Sequence, residues 1–252
     1  MIKDSRIDPT MLKQPASSRV TESRRRPAAA KKRTRAADEA APAYHHGDLR
    51  NALIVEGRRL LEQLGAHELS LRHVAREVGV SIAAPSYHFE GKEGLLAAIA
   101  AQGFDELADV RREITASTTD PLRKVYRMME SYVRFAEREK GLFNLMVGPR
   151  ILERNAYKGL SDAARSSFDL FADAVCDYAR GKGWLDKDLN LVVHAAWSVE
   201  HGLATLILAD RVPRFDRKID VRQMIDFSIS LLLSGVAAGP AHLARIARHR
   251  AR

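Results

Sequence analysis

Leu69-Ser70-Leu71-Arg72-His73-Val74-Ala75-Arg76-Glu77-Val78-Gly79-Val80-Ser81 is the stretch on which the reading of the fold turns. Leu71, Val74, Ala75 and Val78 recur at helical spacing, and Ser70 stands where a hydroxyl can accept from the first free amides of a short helix. Gly79 can take the left-handed backbone of a tight turn. After that turn Ser81 is placed to cap a further helix, expected from Ile82 to about Phe89. Two short helices joined through Gly79-Val80-Ser81 form a helix-turn-helix pattern, in which the second helix enters the major groove of DNA. Short helices joined by a glycine also occur as plain structure, so spacing alone leaves both readings open.

Upstream, Leu49, Leu53, Ile54, Leu60, Leu61 and Leu64 lie at three- and four-residue steps between a start at Asp48 and a stop at Gly65. This predicts a first helix and completes a three-helix head. Downstream of Leu96 the chain reads as helix throughout. A long helix through Ile99, Gly103, Leu107, Val110 and Ile114 leaves the head. Asp120-Pro121 supplies a cap and a first-position proline for the next, lined by Leu122, Val125, Met129, Tyr132, Val133 and Ala136 up to Gly141. Further apolar faces are Ala164, Phe168, Phe171, Val175 and Tyr178; Leu189, Val192, Val193, Ala196, Leu203 and Ile207; and Val221, Met224, Ile225, Ser228, Leu232 and Val236. No segment alternates with a strand period and no internal repeat is visible, so the expected class is all-α.

Charge is concentrated at the ends. Residues 1–43 hold 11 Lys and Arg against 5 Asp and Glu, and residues 241–252 hold 4 Arg and no acid, which exceeds the whole chain's net +9. The body between them is therefore close to neutral, and bulk charge does not by itself indicate DNA binding. The tails read as basic arms adding salt-sensitive, sequence-blind attraction to phosphates, or as solvated tails without a role. Pro9, Pro15, Pro27 and Pro42, with the clusters Arg24-Arg25-Arg26 and Lys31-Lys32-Arg33, leave the first 43 residues no apolar face to offset the entropy of ordering, so a disordered tail is expected there. The expected division is a tail at 1–43, a DNA-binding head at 44–95, a helical ligand-binding and dimerisation domain at 96–238 and a basic C-terminal tail at 239–252. The single cysteine, Cys176, and the lack of a signal-peptide pattern point to the cytoplasm. Leu191–Leu208 is the most apolar run, but His194, Glu200 and His201 within it argue against a membrane span.

The stretches Tyr44-His45-His46-Gly47-Asp48-Leu49-Arg50, Leu69 to Ser81 and Tyr87-His88-Phe89-Glu90-Gly91-Lys92-Glu93-Gly94-Leu95-Leu96 together resemble the DNA-binding domain of the TetR family of repressors. Trp197, His201 and Gly202 resemble the Trp, His and Gly signature of one branch's regulatory domain. The resemblance implies a cytoplasmic homodimer that binds a palindromic operator in double-stranded DNA and is released by a small, largely apolar effector, with no cofactor and no metal. It implies that Ile82, Ala83, Ala84, Ser86 and Tyr87 face bases, that His88 and Lys92 lie near phosphates, and that Arg72, beside the capping Ser70, reaches a guanine. Phe89 reads as core packing, and His88 equally as a packing histidine. Where many members carry an apolar residue followed by tyrosine, this chain has Pro85-Ser86, a change that a helix should survive because a first-turn proline costs at most one hydrogen bond.

Tyr126, Met129, Phe143, Met146, Phe171 and Trp197 are candidate linings of an effector cavity, each equally readable as ordinary core. His201, one turn after Trp197, reads as a ligand contact or a hydrogen-bonded core histidine. Small residues on the last long helices, among them Ala195, Gly202, Ser234 and Gly235, suit close helix pairing between two copies. An enzyme is not expected: no Gly-x-Ser-x-Gly, His-Glu-x-x-His, phosphate loop or dinucleotide fingerprint occurs. A sequence-independent DNA-compacting protein is the alternative that the basic tails allow, and the large neutral helical body argues against it.

Overall fold

Every apolar stripe read above becomes a helix in the computed structural model, which describes residues 48–148, 156–210 and 220–250. The N-terminal basic arm and the Tyr44 to Gly47 part of the first motif lie outside the described residues. The order is α1 (Leu49–Glu68), α2 (Leu71–Val78), a short 3-10 turn (Ala84–Tyr87), α3 (Gly91–Ser117), α4 (Pro121–Arg138), α5 (Lys140–Val147), α6 (Lys158–Arg180), α7 (Asp186–Leu208), α8 (Val221–Ala237) and α9 (Pro240–Arg250). Among the described residues there is no strand.

Local signals act as their chemistry requires. Ser70 Oγ accepts from the His73 amide at 3.2 Å, and Gly79 ends α2 at φ 78° with its amide on the carbonyls of Ala75 and Arg76. Asp120 Oδ2 accepts from the Arg123 amide, with Pro121 at the first helical position of α4. Gly65 breaks regular α1 at φ 79°, after which one more turn runs to Glu68.

Two expectations are corrected. The full helix expected from Ile82 to Phe89 is a turn followed by the 3-10 segment Ala84–Tyr87. Its bonds from Ala84 N to Ser81 O, Ser86 N to Ala83 O and His88 N to Pro85 O span three residues, and only the Phe89 amide at its end reaches back four, to Pro85 O. Pro85 has no N–H to give, so the four-residue bond at its position cannot form and the segment stays in the tighter three-residue pattern. As expected, α4 ends before Gly141, at Arg138, and Gly141 itself lies in the first turn of a further helix, α5. The C-terminal tail is helical in α9 through Arg250 rather than a plain basic extension.

The first core joins Leu53, Leu61, Val74, Phe89, Leu95 and Ile99 of the head to Phe135, Leu142, Phe143 and Met146. It therefore continues from the head along α3 into α5. The second core, with Val125, Met129, Phe171, Val175, Val193, Ile225 and Ile229, fills the space between α4, α6, α7 and α8. On α8 the buried residues are Ile225, Ile229, Leu233 and Val236; Ile225 and Val236 belong to the expected stripe, whereas Ser228 and Leu232 are only half-buried. Of the described helices, α7 is long and apolar enough to cross a membrane by length and composition alone. Here its apolar residues divide between the core and an exposed groove against α8.

The recognition turn and the Trp197 cavity

Pro85 and Phe89 are buried and anchor the 3-10 segment to the head, while Ser81, Ile82, Ala83, Ser86, Tyr87 and His88 face outward. The sidedness expected of a recognition helix is thus kept although the helix is not. Ile82 is 58% and Tyr87 86% exposed, and Ala84 is half-buried. Arg72 stands exposed on α2 with no hydrogen bond or ion pair among the described residues. The Arg50 guanidinium lies 5.5 Å above the Phe89 ring and backs the segment from α1. Lys92 Nζ donates to the His67 carbonyl at 2.7 Å, so it ties the end of α1 to the start of α3 as well as standing beside the recognition turn.

The head is also fastened to the body through α5. Glu62 of α1 accepts from the amides of Gly141 and Leu142 at 3.0 and 2.7 Å, capping the α5 N-terminus with a carboxylate from another helix. A Cβ at Gly141 would stand 2.8 Å from Glu62 Oε2, so a larger residue there would push the capping carboxylate aside. Arg58 pairs with both Glu106 and, at 3.0 Å, Glu139.

In the body, a cavity of about 230 Å³ is bounded by α3, α4, α6 and α7. Trp197 and His201 line it with Phe104, Arg111, Phe168 and Glu200. The remaining candidates lie elsewhere. Met129, Phe143, Met146 and Phe171 are fully buried, and Tyr126 donates to Asp226 Oδ1 at 2.7 Å, tying α4 to α8 on a different surface. Burial and that bond push the Tyr126 phenol up to about 12. Phe143 and Phe171 touch the cavity wall from behind: Phe143 packs edge-on to Tyr132 at 5.2 Å, and Phe171 lies 5.2 Å beneath the Arg111 guanidinium.

Arg111 and Glu200 were not among the candidates. They are 3% and 0% exposed and meet at 3.2 Å through Nη2 and Oε1. Arg111 Nη1 also donates to the carbonyl and hydroxyl of Ser167, at 2.7 and 3.2 Å. One side chain of α3 is thereby bonded to α6 and α7 and stacked near the Tyr132 ring of α4. Burial pushes Glu200 up to about 8 against the opposing pull of Arg111, and the guanidinium, though lowered by the same burial, stays charged. Tyr132 Oη and His201 Nδ1 are hydrogen bonded at 3.0 Å, and burial lowers the His201 pKa. The signal available in the sequence was a charge of each sign on an otherwise apolar stripe: Arg111 follows Gly103 and Leu107, and Glu200 stands between Ala196 and Leu203.

Comparison with known proteins settles the family. Residues 53–99 match the bacterial regulatory proteins of the tetR family, and residues 125–232 match the tetracyclin repressor-like C-terminal domain. The chain belongs to the TetR family. It is a DNA-binding transcriptional regulator with an N-terminal helix-turn-helix head and an all-helical regulatory body. A protein of unknown function from Rhodococcus sp. RHA1 is 29% identical, with a TM-score of 0.68 over 78% of this chain and 100% of that one. The fatty acid degradation regulator FadR from Bacillus halodurans shares the fold at 15% identity and a TM-score of 0.59, over 75% and 96% of the two chains. FadR from Bacillus subtilis, solved in complex with stearoyl-CoA, does so at 14% identity and 0.59, over 73% and 98%. No curated protein matches this chain.

Proposed function

We propose that this TetR family member is a homodimeric, cytoplasmic repressor, seated on a palindromic operator and released from it by a small molecule bound beside Trp197. The observation that carries this reading is the placement of α3. Its first turn holds Lys92 beside the recognition turn, and Arg111, about 28 Å further along the helix, forms a wall of the cavity. An occupant that moves Arg111 shifts a helix whose other end carries the head.

A dimer is supported by the outer faces of α7 and α8, where Leu191, Phe227 and Leu231 are 72%, 68% and 62% exposed along one groove. Gly202 and Gly235 line it with nothing within 4 Å of a would-be Cβ, which suits close approach of a second copy. Two heads then meet half-sites roughly 34 Å apart or a little more. Arg72 reads a base, Lys92 and His88 hold phosphates, and Ile82, Ala83 and Tyr87 meet thymine methyls and groove shape. The stearoyl-CoA of the Bacillus subtilis FadR does not carry over, because about 230 Å³ falls below the roughly 300–1,000 Å³ of pockets that enclose drug-sized ligands.

Release requires a difference in affinity: a hundredfold loss of operator binding corresponds to about 2.7 kcal/mol of coupling, and operator weakens the ligand by the same factor. The deciding experiment selects bound fragments from random duplex DNA with purified protein, then repeats the binding with a metabolite library. Enrichment of one palindrome and its release by a compound are expected. Binding that ignores sequence and vanishes with salt would instead mark a DNA-compacting protein.

A further inference from the structure

We propose that the Trp197 cavity takes a small, uncharged ligand whose polar end presents a hydrogen-bond acceptor beside a donor, a carboxamide being the simplest such group. This rests on the reading above that the cavity holds the effector, and it narrows the largely apolar effector that the sequence suggested.

Two buried charged side chains on the cavity wall each keep one atom unspent. Arg111 Nε and Glu200 Oε2 have no hydrogen-bond partner in the protein, although the residues are 3% and 0% exposed. The other contacts are accounted for: Nη1 serves Ser167 and Nη2 serves Glu200 Oε1. The pair is thus bonded through one atom of each side chain, which leaves one buried N–H donor and one buried acceptor oxygen without a partner beside the cavity. Folded proteins seldom leave buried charged atoms in this state unless something completes them.

These two atoms select the ligand's chemistry. A carboxamide carbonyl accepts from Arg111 Nε while its N–H donates to Glu200 Oε2. Once Glu200 is ionised, a carboxylate ligand would satisfy the arginine and set two acceptors against each other at Glu200. A hydrocarbon would satisfy neither. Above about pH 8, where Glu200 is ionised, Arg111 and Glu200 balance each other's charge, and burial holds His201 toward its neutral form, so a net charge on the ligand would then enter without a counterpart. The rest of the lining is largely apolar, with Leu107, Val147 and Ala164 beside the aromatic rings. Phe168 and Trp197 stand edge to face at 6.2 Å, and Trp197 is 38% exposed at the rim, giving a flat slot for a ring or short chain.

Benzamide, benzoate and toluene have nearly one shape and differ only in this polar end. Each is titrated into the full-length protein at about pH 9, where both members of the pair are charged, by calorimetry and by tryptophan fluorescence. Benzamide is expected to bind at least tenfold more tightly than either other compound, about 1.4 kcal/mol or more. Its fluorescence change should disappear in Trp197→Phe. The double variant Arg111→Met with Glu200→Leu should lose the benzamide preference and favour toluene; if that variant does not fold, the ranking on the unaltered protein decides alone. Benzoate binding tightest would make the site an anion receptor and overturn the proposal. Toluene binding as tightly as benzamide would make it an apolar slot, and no binding by any of the three would mean that a buried water completes the pair. Operator selection separates this from the functional reading: a protein that enriches a palindrome but ignores benzamide refutes only the ligand class, whereas one that enriches no sequence refutes the repressor reading whatever benzamide does.

Discussion

On the head, Ile82 and Tyr87 stand 58% and 86% exposed, while in the body Arg111 and Glu200 are sealed at 3% and 0%. Each region reverses ordinary burial, in opposite directions. On the proposed reading, apolar and aromatic groups left in water on the recognition turn gain their partners when a DNA groove covers them. Charges buried in the body are tolerable only as a pair, and even so two atoms are left over. The same residue type shows the contrast: Arg72 projects freely from α2, whereas Arg111 is bonded to α6 and α7. Both departures from plain packing lie on or beside elements joined by α3, and this is what connects recognition to the cavity.

The comparison is broken most severely by removing one charge of the buried pair. Glu200→Leu leaves Arg111 without its counter-ion and is expected to cost about 3–5 kcal/mol of unfolding free energy, measured by urea denaturation above about pH 8, while Arg111→Met with Glu200→Leu together stays within about 1–2 kcal/mol of the original. A single variant as stable as the double would show that the pair carries no such liability.

The pH dependence sharpens the same point. The folded Glu200 carboxyl titrates above its ordinary value of 4.5, so the folded protein holds the proton more tightly than the unfolded chain. The stability it contributes is fully present below that ordinary value and is lost as pH rises through about 8. Glu200→Gln should flatten the slope of stability against pH across this window; an unchanged slope would assign it to other groups.

On the head, Arg72→Ala is expected to relax preference at one base pair per half-site by about 1–3 kcal/mol, read from a binding profile over all single-base variants of the selected operator. A profile retaining every preference would remove Arg72 from base contact. Lys92→Ala should weaken all sequences alike and also lower the melting temperature, because it frees the His67 carbonyl.

The smallest expected effect lies between the two regions. Glu62→Gln weakens the cap on α5 and should cost about 1 kcal/mol of stability. It should also reduce the factor by which ligand and operator weaken each other, measured by calorimetry with and without operator. An intact coupling factor would place transmission on α3 alone.

The sequence by itself determined the all-helical class, the caps at Ser70 and Asp120, the turn at Gly79 and the outward set of the recognition segment. These depend on local spacing and on hydrogen bonds between near neighbours in the chain. What it did not decide were choices among competing partners. Helix α8 carries apolar residues on two faces, and only packing against α4 and α7 selected Ile229 and Leu233 for the core and left Phe227 and Leu231 in the groove. The cap on α5 is likewise invisible locally, because Glu62, far away in sequence, supplies it at Gly141 and Leu142. The candidate lining was chosen for size and softness, and most of it proved to be solid core, because a side chain on an apolar stripe does not reveal whether the space opposite it is filled. Arg111 and Glu200, 89 positions apart, acquire their meaning only when α3 and α7 bring them to 3.2 Å, where burial turns two unremarkable charges into a paired, half-satisfied wall.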